Sequence, residues 1–421
     1  MATYCVGPSA TGNGSGSDWS NQKAWSGTFT RGDTWYIRGG TGYADVVFTS
    51  AASGTTRNTI KKATASDHVT ETGWLTAYGT DQAQCGKVSI NASDSDYWTF
   101  DGQAGEVTLV NGLANVVTPM GIKFSQTTAG EQTFNFDAGG SNSILRYLEL
   151  AGPGGTTPYN HTADTACLSS WGSQAEDTLV QHCYIHGGST NIELSDTRTI
   201  VEHCVIVDSL STNPAAHSNA YYCGFQANDI TFRYNIVANY NDEGFFITWY
   251  STASSPPQNI KIYGNIFYSP GNTNPRAIEI RQFDGSGGGQ VYDAILVYNN
   301  TFAELSGGGF LNRADEGGLG SSTNCACVNN LSYAAGNNLG DTATVATNTA
   351  DSTDRFTDIG TDFSLTANLQ PGTDLGSPYN VDMLGNSRTT WTRGALEFEG
   401  TPPGDVVLNV TNLTIGTLTI G

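Results

Sequence analysis

The sequence predicts an all-β protein, a single-stranded right-handed parallel β-helix with an N-terminal cap and a strand-like C-terminal tail. Three observations predict it. A short motif recurs six times through the middle of the chain. The composition is rich in Gly (51 residues) and poor in charge (14%). Thr, Ser, Asn, Val, Ile and Tyr abound, while the Glu, Lys, Ala and Leu runs that favour helix are almost absent, a mixture suited to strands broken by turns.

The motif is an apolar residue, two variable residues, Asn or Cys, then apolar again. It reads Val180–Ile185, Val201–Ile206, Phe232–Val237, Ile262–Phe267, Val297–Phe302 and Cys327–Ser332. Its fourth positions are Cys183, Cys204, Asn235, Asn265, Asn300 and Asn330, at steps of 21, 31, 30, 35 and 30 residues. A period near 30 that tolerates insertions describes coils of constant core and variable loops. Such coils cannot bury an inner face alone, so stacking supplies the core. The four Asn should stack with their amides hydrogen-bonded along the column, and the two Cys should fill the same column as compact apolar groups. Leucine-rich and ankyrin repeats need helices or a Leu consensus that is missing here. A β-propeller has longer blades with several strands each.

The eight cysteines form no CxxC pair and no zinc spacing. They read as buried free thiols, Cys325 and Cys327 pointing the same way along one strand. A Cys183–Cys204 disulfide is the alternative. The formal charge of −21 with 18 basic residues argues against nucleic acid and anionic membrane as partners. It also favours a neutral glycan over a strongly anionic polymer. No run of 18 apolar residues exists, and Met1–Cys5 does not read as a secretory signal.

Residues 143–335, with their Asn column, resemble the pectate-lyase-like superfamily of right-handed β-helices. The stretches Gly32–Thr41, Ile60–His68, Tyr97–Gly102 and Gly394–Phe398 resemble its coils as well, so that the likeness covers roughly residues 1–400. The resemblance implies a fold shared by polysaccharide lyases, hydrolases, epimerases and phage tailspikes, and leaves the chemistry open. It also brings Ca2+ as the cofactor that such lyases use beside Lys or Arg; nothing else in the sequence calls for a cofactor.

Residues 1–30 are expected to cap the first coil, with Trp19 and Trp25 over the end of the core. The β-helix is expected over 31–340, and terminal coils and a closing segment over 341–400. A linker and an apolar tail follow over 401–421, where Leu408/Val410, Leu413/Ile415 and Leu418/Ile420 recur every five residues. The tail reads as an attachment strand, to a homotrimer or to other virion proteins, or as a strand folded back on its own chain. Arg31-Gly32-Asp33 reads as the turn entering the first coil.

Aligning the segments after each motif puts Ile192, Tyr221, Phe245, Ile278 and Phe310 in one inward column. Glu193, Tyr222, Phe246, Glu279 and Leu311 follow in an outward column. Ser195, Gly224, Thr248, Arg281 and Arg313 form a second outward column, and Gln226, Tyr250, Phe283 and Asp315 a third. Aromatic rings and planar polar groups together suit sugar recognition. At roughly 4.8 Å per coil, five coils make a track about 20 Å long. Glu193, Tyr222, Phe246, Tyr250, Phe283 and Arg313 are the expected sugar contacts. Hydrolysis requires two carboxylates across the glycosidic bond, for which Glu279 with Asp315 or with Glu193 are candidates, Asp284 and Glu316 lying close in sequence. Arg281 is the candidate for a lyase site, because no lysine lies in these strands. His217, just before a strand, and the equivalent His182 and His203 read as structural, the latter two stacking.

Three functions stay in play: a phage virion surface protein, tailspike-like or decorating, that binds glycan; an extracellular polysaccharide lyase or hydrolase; and a non-catalytic structural β-helix. The sequence favours the first.

Overall fold

The computed structural model describes residues 1–161, 165–170, 175–213, 216–224, 227–249, 255–282, 290–314, 320–336, 344–367, 369 and 371–398. Three long parallel sheets run through them, and each complete coil gives one strand to each in turn. Leu179–Gln181, Tyr184–His186 and Thr190–Glu193 make one coil. Ile200–Glu202, Val205–Ser209 and Tyr221–Cys223 make the next, each pairing in parallel with its counterpart. The chain is a right-handed parallel β-helix. The first sheet begins earlier than expected: Thr3–Gly7 already pairs in parallel with Thr34–Ile37, inside the segment read as a cap.

The expected inward column is in register and buried throughout, Tyr221 and Phe245 lying ring on ring at 4.4 Å. At the N-terminal end Trp25 and Phe29 pack over Trp35 and Phe48 and close the core. Trp19 does not join them. It sits outside the first sheet against Trp74 and Tyr78, its indole N–H donating to the His68 carbonyl. Arg31 donates to the carbonyls of Ser50, Ala51, Thr56 and Asp96, so this tripeptide is tied into the first turns.

The corner between the first and second sheets explains the motif. The residue before each ladder position has positive φ: Tyr147, His182, His203, Tyr234, Gly264, Asn299, Asn329 and Thr347, between 51° and 66°. A left-handed residue at each coil turns the strand sharply and leaves backbone groups without sheet partners. The Asn column supplies them. The backbone N–H of Cys204, Asn235, Asn265, Asn300 and Asn330 donates to the side-chain oxygen of the next Asn at 2.8–3.0 Å. Each amide nitrogen donates to a carbonyl one coil back, Val201, Phe232, Ile262, Val297 and Cys327 in turn. Asn348 is a fifth rung. It comes only 18 residues after Asn330, which hid it from the 30-residue period. Cys183 and Cys204 occupy the same column as free thiols, and all eight cysteines are buried and unpaired, so the disulfide alternative fails. The rings of Tyr147, His182, His203 and Tyr234 stack beside the column at 5.0–5.3 Å, as expected for the two histidines. Burial, with Arg233 nearby, brings His203 down to about 4, so it stacks as a neutral ring.

The outer face of the second sheet is covered. A hairpin, Glu106–Val110 with Leu113–Thr118, is inserted between first- and second-sheet strands and reaches along this face to Tyr268. A second hairpin, Phe356–Asp358 with Asp362–Leu365, meets it end to end: the Gly112 N–H donates to the Gly360 carbonyl and the Asn111 N–H to Thr361. Residues 379–398 pack on the same apolar surface. Much of the segment after the last coil therefore flanks the helix. Beside this cover Glu149 accepts from Lys123, His186 and Gln82. Burial pushes its carboxyl up, but these donors outweigh it and hold the pKa at about 2.

Replacing Asn265 by Ala leaves the buried N–H of Asn235 without its acceptor and the Phe232 carbonyl without its donor. About 1–3 kcal/mol per stranded group is expected. Thermal unfolding should show a clear drop for Asn265→Ala, and a smaller one for Cys204→Ala, whose thiol makes only weak sulfur hydrogen bonds.

Candidate glycan-binding face

The third sheet presents its outward side chains as one register column: Val47, Ser89, Asn135, Ser169, Glu193, Tyr222, Phe246, Glu279 and Leu311. The expected alignment of Glu193 through Leu311 is therefore correct in register, as is that of Thr248, Arg281 and Arg313. The sequence reading assumed that all of this column was open to solvent, and it is not. Tyr222 is 4% exposed, Phe246 2% and Glu279 0%, while Glu193 is half-buried. Large rings pointing outward gain by being covered. Here they pack edge to face at 5.7 Å, with the His217 ring 6.5 Å from both. Neither ring offers a free face on which a sugar would stack. Tyr250, Phe283, Asp315, Gln226, Asp284 and Glu316 lie outside the described residues.

Glu279 sits in a buried ion cluster. One Arg276 nitrogen bridges it, at 2.7 Å, to Glu243, at 2.8 Å, and Arg313 approaches its other oxygen at 3.5 Å. Glu243 was not singled out from the sequence. A signal existed, because extending the aligned strands by one residue sets Glu243 directly opposite Arg276. Burial first, then the negative charges of Glu279 and Asp242, push the Glu243 carboxyl up to about 8 against the pull of Arg276. At neutral pH the cluster therefore holds Glu243 largely protonated beside Glu279, which two arginines clamp. That is a structural clamp, because a carboxylate without solvent access cannot meet a glycosidic oxygen or a water. Glu193 with Glu279 fails on distance as well. They stand three coil steps apart, roughly 14 Å at the spacing of neighbouring strands, and inverting hydrolases place their pair about 6.5–9.5 Å apart. Arg281 is half-buried, its carbonyl accepting from the Tyr292 hydroxyl.

The open part of the face lies toward the N-terminus. Val47 is exposed and Ser89 and Asn135 are half-buried. They border a cleft of about 310 Å³ lined also by Asp45, Lys87, Glu131 and Gln132. Lys87 spans it, its ammonium 2.8 Å from Glu131 and its backbone N–H on Asp45. The bond to Glu131 raises the Lys87 pKa, which keeps the amine charged and unsuited to act as a base. Farther along, Ser169 donates to Glu193 at 3.3 Å. The sequence reading passed over this region because the repeat motif begins only at Val180. The alternation of Val46, Phe48, Val88 and Ile90 inward with Val47 and Ser89 outward was the available signal.

No protein-family profile and no curated protein matches the sequence. Among solved structures the chain is similar to the pectate lyase Pel9A at 13% identity, covering 94% of this chain and 96% of that one, with a TM-score of 0.49. An alginate lyase from Paenibacillus sp. str. FPU-7 is 12% identical over 77% of this chain and 99% of its own, TM-score 0.32. The Dettilon tailspike protein is 12% identical over 76% of this chain and 56% of its own, TM-score 0.39. These are likenesses of fold, and they say nothing about the chemistry of the face. Among the described residues no helix is long and apolar enough to cross a membrane, and no cluster of three metal-ligating side chains occurs.

The Glu243 pKa of about 8 lies above its unfolded value of 4.5. Its contribution to stability is present below about 4.5 and is lost as pH rises through about 8. Glu243→Gln should therefore gain in Tm relative to the parent protein as pH goes from 5 to 8.5. A difference that does not move with pH would contradict a protonated Glu243 in the cluster.

Proposed function

We propose that this chain is a glycan-binding β-helix, serving as a tailspike-like or decorating protein on a phage particle, and that its third-sheet face binds without cutting. The observation that carries the reading is the outward column from Ser89 through Asn135 and Ser169 to Glu193. Of these, Ser89 and Asn135 stand one coil apart in an open cleft, and the half-buried Glu193 follows two coils farther along, beyond the buried Ser169 that donates to it. Repeated donors and acceptors at a fixed spacing suit a polymer of hydroxylated units. The charge of −21 favours a neutral glycan over a polyuronate.

Binding is favoured over cleavage because the candidate carboxylates within the described residues are unsuited to it. Glu279 is buried, and Glu193 is too far from it. Asp45 and Glu131 are occupied by Lys87. The phage assignment goes further than the binding assignment. It draws on the sequence-level resemblance and is tested separately, by immunogold labelling of purified particles.

Neutral and uronate-containing oligosaccharides, titrated calorimetrically, test the binding. A neutral ligand should bind, and Asn135→Ala or Glu193→Ala should each weaken it about tenfold, in line with loss of one or two hydrogen bonds. Release of new reducing ends, or of unsaturated uronate absorbance, would make the protein a hydrolase or a lyase instead.

A further inference from the structure

The inserted hairpin carries an apolar edge that nothing among the described residues covers. Its first strand is buried at Val107, Thr108 and Leu109, whereas its second strand, Leu113–Thr118, is exposed along almost its whole length. Val110, Leu113, Val116 and Val117 are 43%, 58%, 44% and 51% exposed, four of the nine large apolar side chains that stand exposed among the described residues. Leu113–Thr118 pairs only with Glu106–Val110, so its other edge presents unpaired N–H and C=O groups. An uncharged apolar edge of this kind invites another strand, and proteins normally blunt such an edge with charge, proline or a cover.

We propose that this edge is the docking site of the chain's own C-terminal segment, residues 406–420, which adds to it as a third strand. The segment lies outside the described residues. Three features select it. Leu408/Val410, Leu413/Ile415 and Leu418/Ile420 form three short apolar pairs, each spaced as on one face of a strand and separated from the next by Asn, Thr or Gly. No charged side chain follows Asp405, and none occurs in Leu113–Thr118, so neither meets a like charge in a molecule of net charge −21. The described chain also ends in the right place. Ala395 donates to Thr301, whose coil adjoins that of Tyr268, the ring over which the hairpin tip lies. Phe398 packs on the same apolar surface as the hairpin. The seven residues from 399 to 405 reach up to roughly 25 Å when extended, about five coils, which is enough to bring residue 406 to the strand. Main-chain bonds would give the affinity and the apolar pairs the register, as in strand addition elsewhere.

Amide hydrogen exchange on the full chain and on a chain ending at Asp405 tests this, with light scattering for mass. The amides of residues 113–118 should exchange at least tenfold more slowly in the full chain, and the full chain should be monomeric. Leu413→Asp, which keeps the length and puts a charge into the central apolar pair, should abolish that protection while the Asn265 and Asn300 amides stay protected. This variant decides the matter if the shortened chain fails to fold. Equal exchange at 113–118 in the full chain and in Leu413→Asp would overturn the proposal. So would protection that appears only in a dimer, since the edge would then be pairing with a second copy.

Discussion

The structure depends on one constraint: a chain that turns the same corner in coil after coil must satisfy the same backbone groups each time. At the corner between the first two sheets, a left-handed residue frees an N–H and a carbonyl that neither sheet pairs. From Asn235 onward a buried amide answers both, linking its own coil to the ones before and after. Toward the N-terminus the column turns apolar, through Cys204 and Cys183 to Leu148 and Ile122. The identity at that position thus records how each corner is held, by hydrogen bonds at one end and by packing at the other. Stacked aromatic rings beside the column add contact without disturbing the turn.

Holding the corner fixes the register, and the register sets what each face displays. The second sheet's outer face is apolar and is hidden under two hairpins that enter from opposite ends and meet over Tyr268. The first sheet pairs charges across neighbouring coils, Asp101 with Arg146 and Glu202 with Arg233. The third sheet divides. Its C-terminal half buries rings and clamps Glu279 between arginines, whereas its N-terminal half keeps small polar side chains beside a cleft. The proposed recognition is assigned to the open half, because a bound polymer must reach the groups that contact it.

Side-chain direction was legible in the sequence, and burial was not. The inward column Ile192, Tyr221, Phe245, Ile278 and Phe310 follows from alternation alone, and so does the outward placement of Tyr222, Phe246 and Glu279. Alternation reports only which side of the strand a group leaves from. Whether an outward group meets water depends on what the loops and neighbouring coils lay against it, such as His217 beside Phe246 of the next coil, and strand alternation does not encode that. Glu243 was missed because it stands one residue before the aligned block. The open cleft was missed because its strands precede the motif that drew attention to the middle of the chain. Asn348 was lost to a shortened period.

The central claim is that the exposed polar half of the third sheet is where glycan lies. A crystal structure of the protein soaked with a neutral oligosaccharide that it binds tests this most directly. The account predicts sugar density along Ser89, Asn135 and Glu193, with Glu279 still buried against Arg276 and Arg313. Density over Glu279 with that clamp opened, or on another sheet, would contradict it.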